Sequence, residues 1–226
     1  MSYIGTSKIG KMFLGGTEIA KAYLGSNLVY QNKPYDAEVE YLESTGTQYI
    51  DTGAILNSES DIIDIDFMIT QGSSNTKGVF GCRLNASSNN ISILKSSSNS
   101  IVVDVNNGNY STYRINSLQD AINTRCNIHI ERGYKYIMYN GVLMASSNTM
   151  SQIFSTNAPA FVFAVVNVTA KSCLRLYTLQ LSRNNIAFID LIPVRCGTTG
   201  YMYDRVSGQL FGNAGTGDFI VGPDKS

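Results

Sequence analysis

Apolar positions recur with a ten-residue period over the first thirty residues: Ile4, Leu14 and Leu24 in one register, Ile9, Ile19 and Val29 in another. Between them stand Gly5-Thr6, Gly15-Gly16-Thr17 and Gly25-Ser26, while Lys11 and Lys21, and Phe13 and Tyr23, keep the same spacing. Each unit predicts a short strand, a glycine-centred turn that needs positive φ, and a second short strand. Three such hairpins cannot bury a core of their own. Residues 1–32 are therefore expected to dock: on the following domain, on copies of themselves or on a larger assembly. Gly5, Gly15, Gly25, Phe13 and Tyr23 are the residues expected to carry this attachment repeat.

The pattern changes after Tyr30. Gln31 to Asp36 is polar and holds Pro34, and residues 33–36 read as a linker. From Ala37 to Ser226 strands and turns follow one another. Ile63, Ile65, Phe67 and Ile69 alternate with Asp64, Asp66 and Met68, as a half-buried strand does. Gly78 to Leu84 reads as a strand whose glycines allow close backbone approach. Ile91 to Leu94, Ile101 to Val105, Tyr110 to Ile115, Cys126 to Glu131 and Lys135 to Tyr139 follow, separated by Asn-rich turns such as Asn140-Gly141. Phe161 to Val168 is a continuous apolar run, and Cys173 to Ser182 alternates again. Ser117 to Asn123 offers one short helical turn. Many short antiparallel strands at this spacing predict an all-β fold, a two-sheet jelly-roll sandwich over residues 37–226.

Composition narrows the function classes. Charged residues make up 15% of the chain, and Asn and Ser together about a fifth, so uncharged polar groups cover much of the surface. Seventeen basic and seventeen acidic residues cancel without a basic cluster in sequence, which gives nucleic-acid binding no electrostatic support. No apolar run approaches the ~18 residues of a membrane span. The first residues lack a basic n-region and an apolar h-region, so a chain made in the cytoplasm is expected. Cys82, Cys126, Cys173 and Cys196 are widely spaced without a C-x-x-C pair, and buried thiols are expected.

Candidate chemistry is sparse. Glu59-Ser60-Asp61-Ile62-Ile63-Asp64 is one methylene short of E-x-D-x-x-E, a pattern that can set two carboxylates about 5–5.5 Å apart for retaining glycoside hydrolysis. The shortened third residue, its early place in the domain and the absence of tryptophan argue for a solvated strand face, and no catalytic residue is assigned. His129, the single histidine, supports neither a triad nor a zinc site. Asp61, Asp64 and Asp66 lack the glycine-turned loop of a calcium site, so neither metal nor cofactor is expected. Fourteen tyrosines are the better lead for binding: Tyr110, Tyr113, Tyr134, Tyr136 and Tyr139 on adjacent hairpins are candidate glycan or partner contacts, while strand propensity alone would also place tyrosines in the core.

Two resemblances add to this reading. The repeat, with Tyr23-Leu24-Gly25-Ser26 as its clearest unit, resembles segments at the head of tailed-bacteriophage virion proteins, where they attach a displayed domain to the particle. Glu38 to Gly53, Phe188 to Arg195 and Gly200 to Phe219 are similar to the opening, strand and closing hairpin of concanavalin A-like (LamG-like) domains. The resemblance implies a structural or decoration protein of a virion, joined to other virion proteins through residues 1–32, with a lectin-like domain that adheres weakly to bacterial or mucus glycans. A bacterial surface carbohydrate-binding adhesin is the alternative, and a glycoside hydrolase a more distant one. A homotrimer is expected, because cyclic symmetry would cover the apolar stripe of the repeat and the resembling virion domains often use threefold symmetry.

Overall fold

The structure is a computed structural model that describes residues 3–4, 7–8, 12–19, 21–57, 59–72, 74–83, 89–96, 100–105, 111–115, 122–131, 136–146, 155–165 and 170–225. The chain divides into two compact units, Met1–Asp36 and Ala37–Ser226.

The first unit holds three antiparallel hairpins, one per sequence repeat. Tyr3–Ile4 pairs with Ser7–Lys8, Phe13–Leu14 with Thr17–Glu18, and Lys21–Leu24 with Asn27–Gln31. Gly15 and Gly16 sit at φ of 56° and 87°, the pattern of a type I′ turn, whereas Gly25 alone is positive in its turn, at 63°. The Tyr30 hydroxyl accepts a hydrogen bond from the Met12 amide at 3.1 Å, and the Asn32 amide donates to Glu18 Oε1 at 2.6 Å, so the second and third hairpins are tied. Among the described residues none before Val39 belongs to a hydrophobic core cluster. Instead Phe13, Leu14, Tyr23 and Leu24 are 58, 76, 58 and 74% exposed.

The second unit is all-β among its described residues, with two facing sheets. The larger has the strand order Val142–Ser146, Tyr136–Tyr139, Arg125–Glu131, Asp61–Ile69, Cys173–Arg183, Ile186–Cys196, Thr199–Asp204, Leu210–Phe211. Leu42–Thr45 lies between the first half of Cys173–Arg183 and Ile220–Val221. The smaller runs Ser111–Ile115, Ile101–Val105, Ile91–Lys95, Lys77–Cys82, Phe161–Val162, Ile50–Asp51. The alternation of Asp61–Ile69 sends Ile63, Ile65, Phe67 and Ile69 inward to meet Phe80, Ile91, Ile93 and Val103 in one core. Ile91–Lys95 and Ile101–Val105 are buried on both faces, which explains why they read as apolar runs: Leu94 and Val102 pack with Val165 on the outer side.

One element differs from the sequence reading, and another lies mostly outside the described residues. The apolar run after Phe161 is broken into Phe161–Val162 and Ala164–Val165, because buried Phe163 turns the chain at a φ of 68°. Its ring packs against Phe219 at 5.0 Å. The short helical turn expected at Ser117 to Asn123 falls mostly outside the described residues, and Ile122 instead bridges Ile69. The close approach expected at Gly78 is present: a Cβ there would stand 2.4 Å from the Val165 amide nitrogen.

The first and last segments of this unit clasp each other. Thr47 Oγ1 donates to the Thr216 carbonyl at 2.9 Å, and the Gln48 side-chain amide to the Asp218 carbonyl at 2.8 Å. The Tyr49 amide donates to Asn213 Oδ1 at 3.2 Å, and the Ala214 amide to the Tyr49 carbonyl at 2.9 Å. Gln48 Oε1 also accepts from the Thr45 amide at 2.9 Å, so one buried side chain holds both partners. Asp204 caps the closing hairpin by accepting from the amides of Asp190, Val206 and Ser207 at 2.8–3.1 Å, a turn-forming role.

Two substitutions test the clasp. Gln48→Ala leaves several buried groups without partners and is expected to cost about 1–3 kcal/mol. Gly215→Ala places a Cβ 2.2 Å from the Thr47 carbonyl oxygen and is expected to lower the melting temperature further than Gly212→Ala, whose Cβ meets only the Tyr201 ring at 3.3 Å. Thermal denaturation followed by circular dichroism checks both, and equal melting of wild type and Gly215→Ala would dismiss the clasp.

Candidate functional site

A cavity of about 270 Å³ opens at one end of the sandwich, lined by Thr45, Gly46, Ile69, Gln71, Gly72, Lys77, Lys95, Lys171, Ser172 and Cys173. Strand register brings its three lysines together. Lys77 and Lys95 are directly opposed across an antiparallel pair, and Lys171 is one step away through the parallel bridge to Gly78. Like charges directly opposite repel. Lys95 is also 2% exposed, and burial, followed by the charge of Lys77, lowers its pKa below 10.5. Lys171 holds its Nζ 5.4 Å from the centre of the Tyr49 ring. Among the described residues no Asp or Glu lines the cavity. The Ser172 hydroxyl is buried without a hydrogen-bond partner among the described residues. Gly46, at a φ of 99°, brings the Thr45–Thr47 turn against Cys173, where an added Cβ would lie 3.2 Å from the sulfur. This is a small basic cup suited to holding an anion.

The carboxylates singled out in the sequence do not converge. Glu59 is exposed in a turn, with its amide bonded to Asn57 Oδ1 at 2.9 Å. Asp61 points inward, its side chain fully buried and held by Arg183 Nε at 2.7 Å and Arg183 Nη2 at 3.0 Å. Asp64 points outward, 2.7 Å from His129 Nδ1, and Asp66 is paired with Arg125 Nη2 at 2.7 Å. His129 Nε2 also lies 3.7 Å from Glu131, which makes this histidine part of a half-buried polar row. No cluster of three or more metal-ligating side chains occurs among the described residues.

Of the tyrosines, Tyr110 and Tyr134 lie outside the described residues. Tyr113 and Tyr136 fall in the strands Ser111–Ile115 and Tyr136–Tyr139, with only their backbones described. Tyr139 packs against the core, its hydroxyl 3.1 Å from Cys126 Sγ, and burial raises its pKa. In the repeat, Gly15 and Gly25 occupy the positive-φ turn positions, Phe13 and Tyr23 are exposed, and Gly5 is outside the described residues. No disulfide joins the described cysteines: Cys82 and Cys126 are buried, whereas Cys173 and Cys196 are only half-buried, at the ends of long strands. Burial pushes the Cys82 thiol up to about 11.

The sequence reading passed over a second surface. A bulge opposite Asp66 and Phe67 makes Tyr177 the extra residue of its strand, so Tyr177 and Thr178 both face outward. The Arg125 guanidinium stacks 3.9 Å over Tyr177, Arg175 stacks 4.2 Å over Tyr41, and the two rings meet edge to face at 6.0 Å. Asp66 and Glu43 pair with the two arginines. The rings are thus held under cations by their own fold.

No family model matches the sequence, and no curated protein matches it. Among solved structures, the chain is similar to a candidate carbohydrate-binding protein from Bacteroides ovatus, with a TM-score of 0.57 and 10% identity over 89% of this chain. The match spans 65% of that protein's length. A looser likeness to Trypanosoma rangeli sialidase has a TM-score of 0.36 and 9% identity, over 74% of this chain and 33% of the other. The fold class is a two-sheet β-sandwich, in agreement with the strand pattern. The first likeness, at its low identity, concerns fold alone.

Two outcomes follow from the site geometry. Asp61→Asn removes the charge from a buried carboxylate whose arginine partner is half-exposed and is expected to cost about 2 kcal/mol, whereas Glu59→Gln stays within about 0.5 kcal/mol of wild type. Denaturant titration separates them. Lys95 binds its proton more weakly folded than unfolded, so its contribution to stability rises as pH climbs through the window just below 10.5. The raised phenols of Tyr139 and Tyr177 act in the opposite sense, so the comparison is between proteins: wild type should gain stability relative to Lys95→Met across that window.

Proposed function

We propose that this chain is a non-enzymatic structural protein of a tailed-phage virion that attaches through residues 1–32 and displays a lectin-like sandwich. The observation that carries the reading is the pairing of two unlike units. One is a set of repeated hairpins whose apolar Phe13, Leu14, Tyr23 and Leu24 are exposed, and the other a sandwich with a core of its own. Exposed apolar repeats of this kind call for a partner surface. The sandwich supplies a cup for weak adhesion to bacterial or mucus glycans, and the fold likeness to a candidate carbohydrate-binding protein supports that use. The scattered carboxylates support a binding role over glycoside cleavage.

The same likeness, to a protein from Bacteroides ovatus, favours one second reading: a carbohydrate-binding adhesin of a bacterial surface. Mass-spectrometric inventory of purified particles from a lysate separates the two. The virion reading expects the chain in stoichiometric amount on particles, and recovery only with cell envelopes would replace it with the adhesin.

Assembly gives a further test. The full chain is expected to sediment as about three copies, with the hairpins packed around a closed axis, and residues 33–226 alone as a folded monomer. A full-length monomer at micromolar concentration would end the trimer proposal. Unfolding of the shorter fragment would show that the hairpins belong to the core.

A further inference from the structure

We infer that the strand Val142–Ser146 pairs with the same strand of a second copy, joining two sandwiches edge to edge in one continuous sheet. It is the last strand of the larger sheet, hydrogen-bonded on one side to Tyr136–Tyr139 and on the other to no described strand. Such an edge presents amide and carbonyl groups that match an extended backbone, and folded proteins guard their edges with short strands, charges or proline. The other three ends of the two strand orders are guarded in this way. Leu210–Phe211 and Ile50–Asp51 are two residues long, and Asp51 is exposed besides. Ser111–Ile115 carries Arg114. Val142–Ser146 is five residues long and holds neither a charge nor a proline. Its side chains are as open as its backbone: Val142, Leu143 and Met144 are 62, 48 and 41% exposed. Val142 stands opposite Tyr139 and Leu143 opposite Met138, so they lie on the two faces of the sheet, and a bulge leaves Met144 as the extra residue. Three consecutive exposed apolar residues call for a function.

The chemistry of the strand favours a second copy as its occupant. From Asn140 to Ala170 the sequence holds no Asp, Glu, Lys or Arg, in a chain where such residues make up 15%. A twofold antiparallel pairing centred on Met144 sets Val142 against Ser146, Leu143 against Ala145 and Met144 against itself, and every one of these meetings is between uncharged groups. A charge at the centre would face its own sign across the axis, which is destabilising. The net charge of zero also removes the longer-range repulsion between copies. Five residues a side are well short of the roughly 20–30 of a stable interface. The pair therefore forms where copies are crowded, as on a shared surface, and not at micromolar concentration.

Sedimentation equilibrium of the full chain from about 10 μM to about 1 mM tests this. The mean mass is expected to hold a plateau in the micromolar range and to rise at least about 1.5-fold above it by the highest concentration. Over the same range the amides of residues 142–146 are expected to exchange with solvent more slowly, because they become hydrogen-bonded between copies. Leu143→Lys and Met144→Lys, both at exposed positions, should each keep the wild-type melting temperature and abolish the rise, so the result does not hang on one variant. Ile186→Lys, at an apolar position 73% exposed on another strand, should leave the rise intact. The plateau reports on the hairpins and the rise on the edge: a plateau at one copy ends the trimer, and a rise above it still supports the edge pair. A mass that stays flat to the highest concentration would overturn the inference. So would a rise that both edge lysines leave unchanged, or one that Ile186→Lys abolishes as well, since that is unspecific sticking.

Discussion

The sandwich depends on a hydrogen-bonded clasp between residues about 170 positions apart, where Thr47 and Gln48 meet Thr216 and Asp218. Leu42–Thr45 enters the large sheet beside Cys173–Arg183, and the clasp fixes the turn that follows it. That turn is one wall of the lysine cup, through Thr45 and Gly46. The site is therefore a product of closure: without the clasp neither the wall nor its approach to Cys173 is defined. The two sequence stretches that resemble the ends of a concanavalin A-like domain are the two halves of this contact, which is a physical reason for them to occur together.

The large-scale architecture was legible because it follows from periodicity. Period-two alternation from Ile63 to Ile69 marks a half-buried strand, and the ten-residue repeat with its glycines marks the hairpins. The fate of the carboxylates was also legible in principle: Asp61 and Asp64 are three apart, an odd spacing that places them on opposite faces of a regular strand. The lysine cup was not legible. Lys77, Lys95 and Lys171 are remote in sequence and meet only through strand register, which the connections between those strands do not announce. Tyr177 was missed for a related reason, since a bulge shifts its parity and aims it outward. Phe163 shows the limit of propensity: an aromatic inside an apolar run turns the chain where its ring has a place against Phe219.

Net neutrality conceals a sorting of charge. Arginine, with a planar fork that matches a carboxylate, ties neighbouring strands and stacks on Tyr41 and Tyr177. Lysine, a compact point charge, gathers where the strands end and the sheets part. The same count of acids and bases therefore yields a braced outer face and a basic hollow, a distinction that composition cannot express.

The order of strand pairing has a consequence for synthesis. Each N-terminal hairpin closes over a turn of a few residues and can form as soon as it leaves the ribosome. The sandwich cannot: Val39 bridges Asp224, and the Lys225 amide bonds the Glu38 carbonyl, so its first strands wait for residues far along the chain. Leu42–Thr45 gains one neighbour with Cys173–Arg183 and the other only with Ile220–Val221. Local hairpins are thus followed by a domain of high contact order. The hairpins therefore need no residue of the sandwich to close, whereas the sandwich needs nearly the whole span from Glu38 to Lys225.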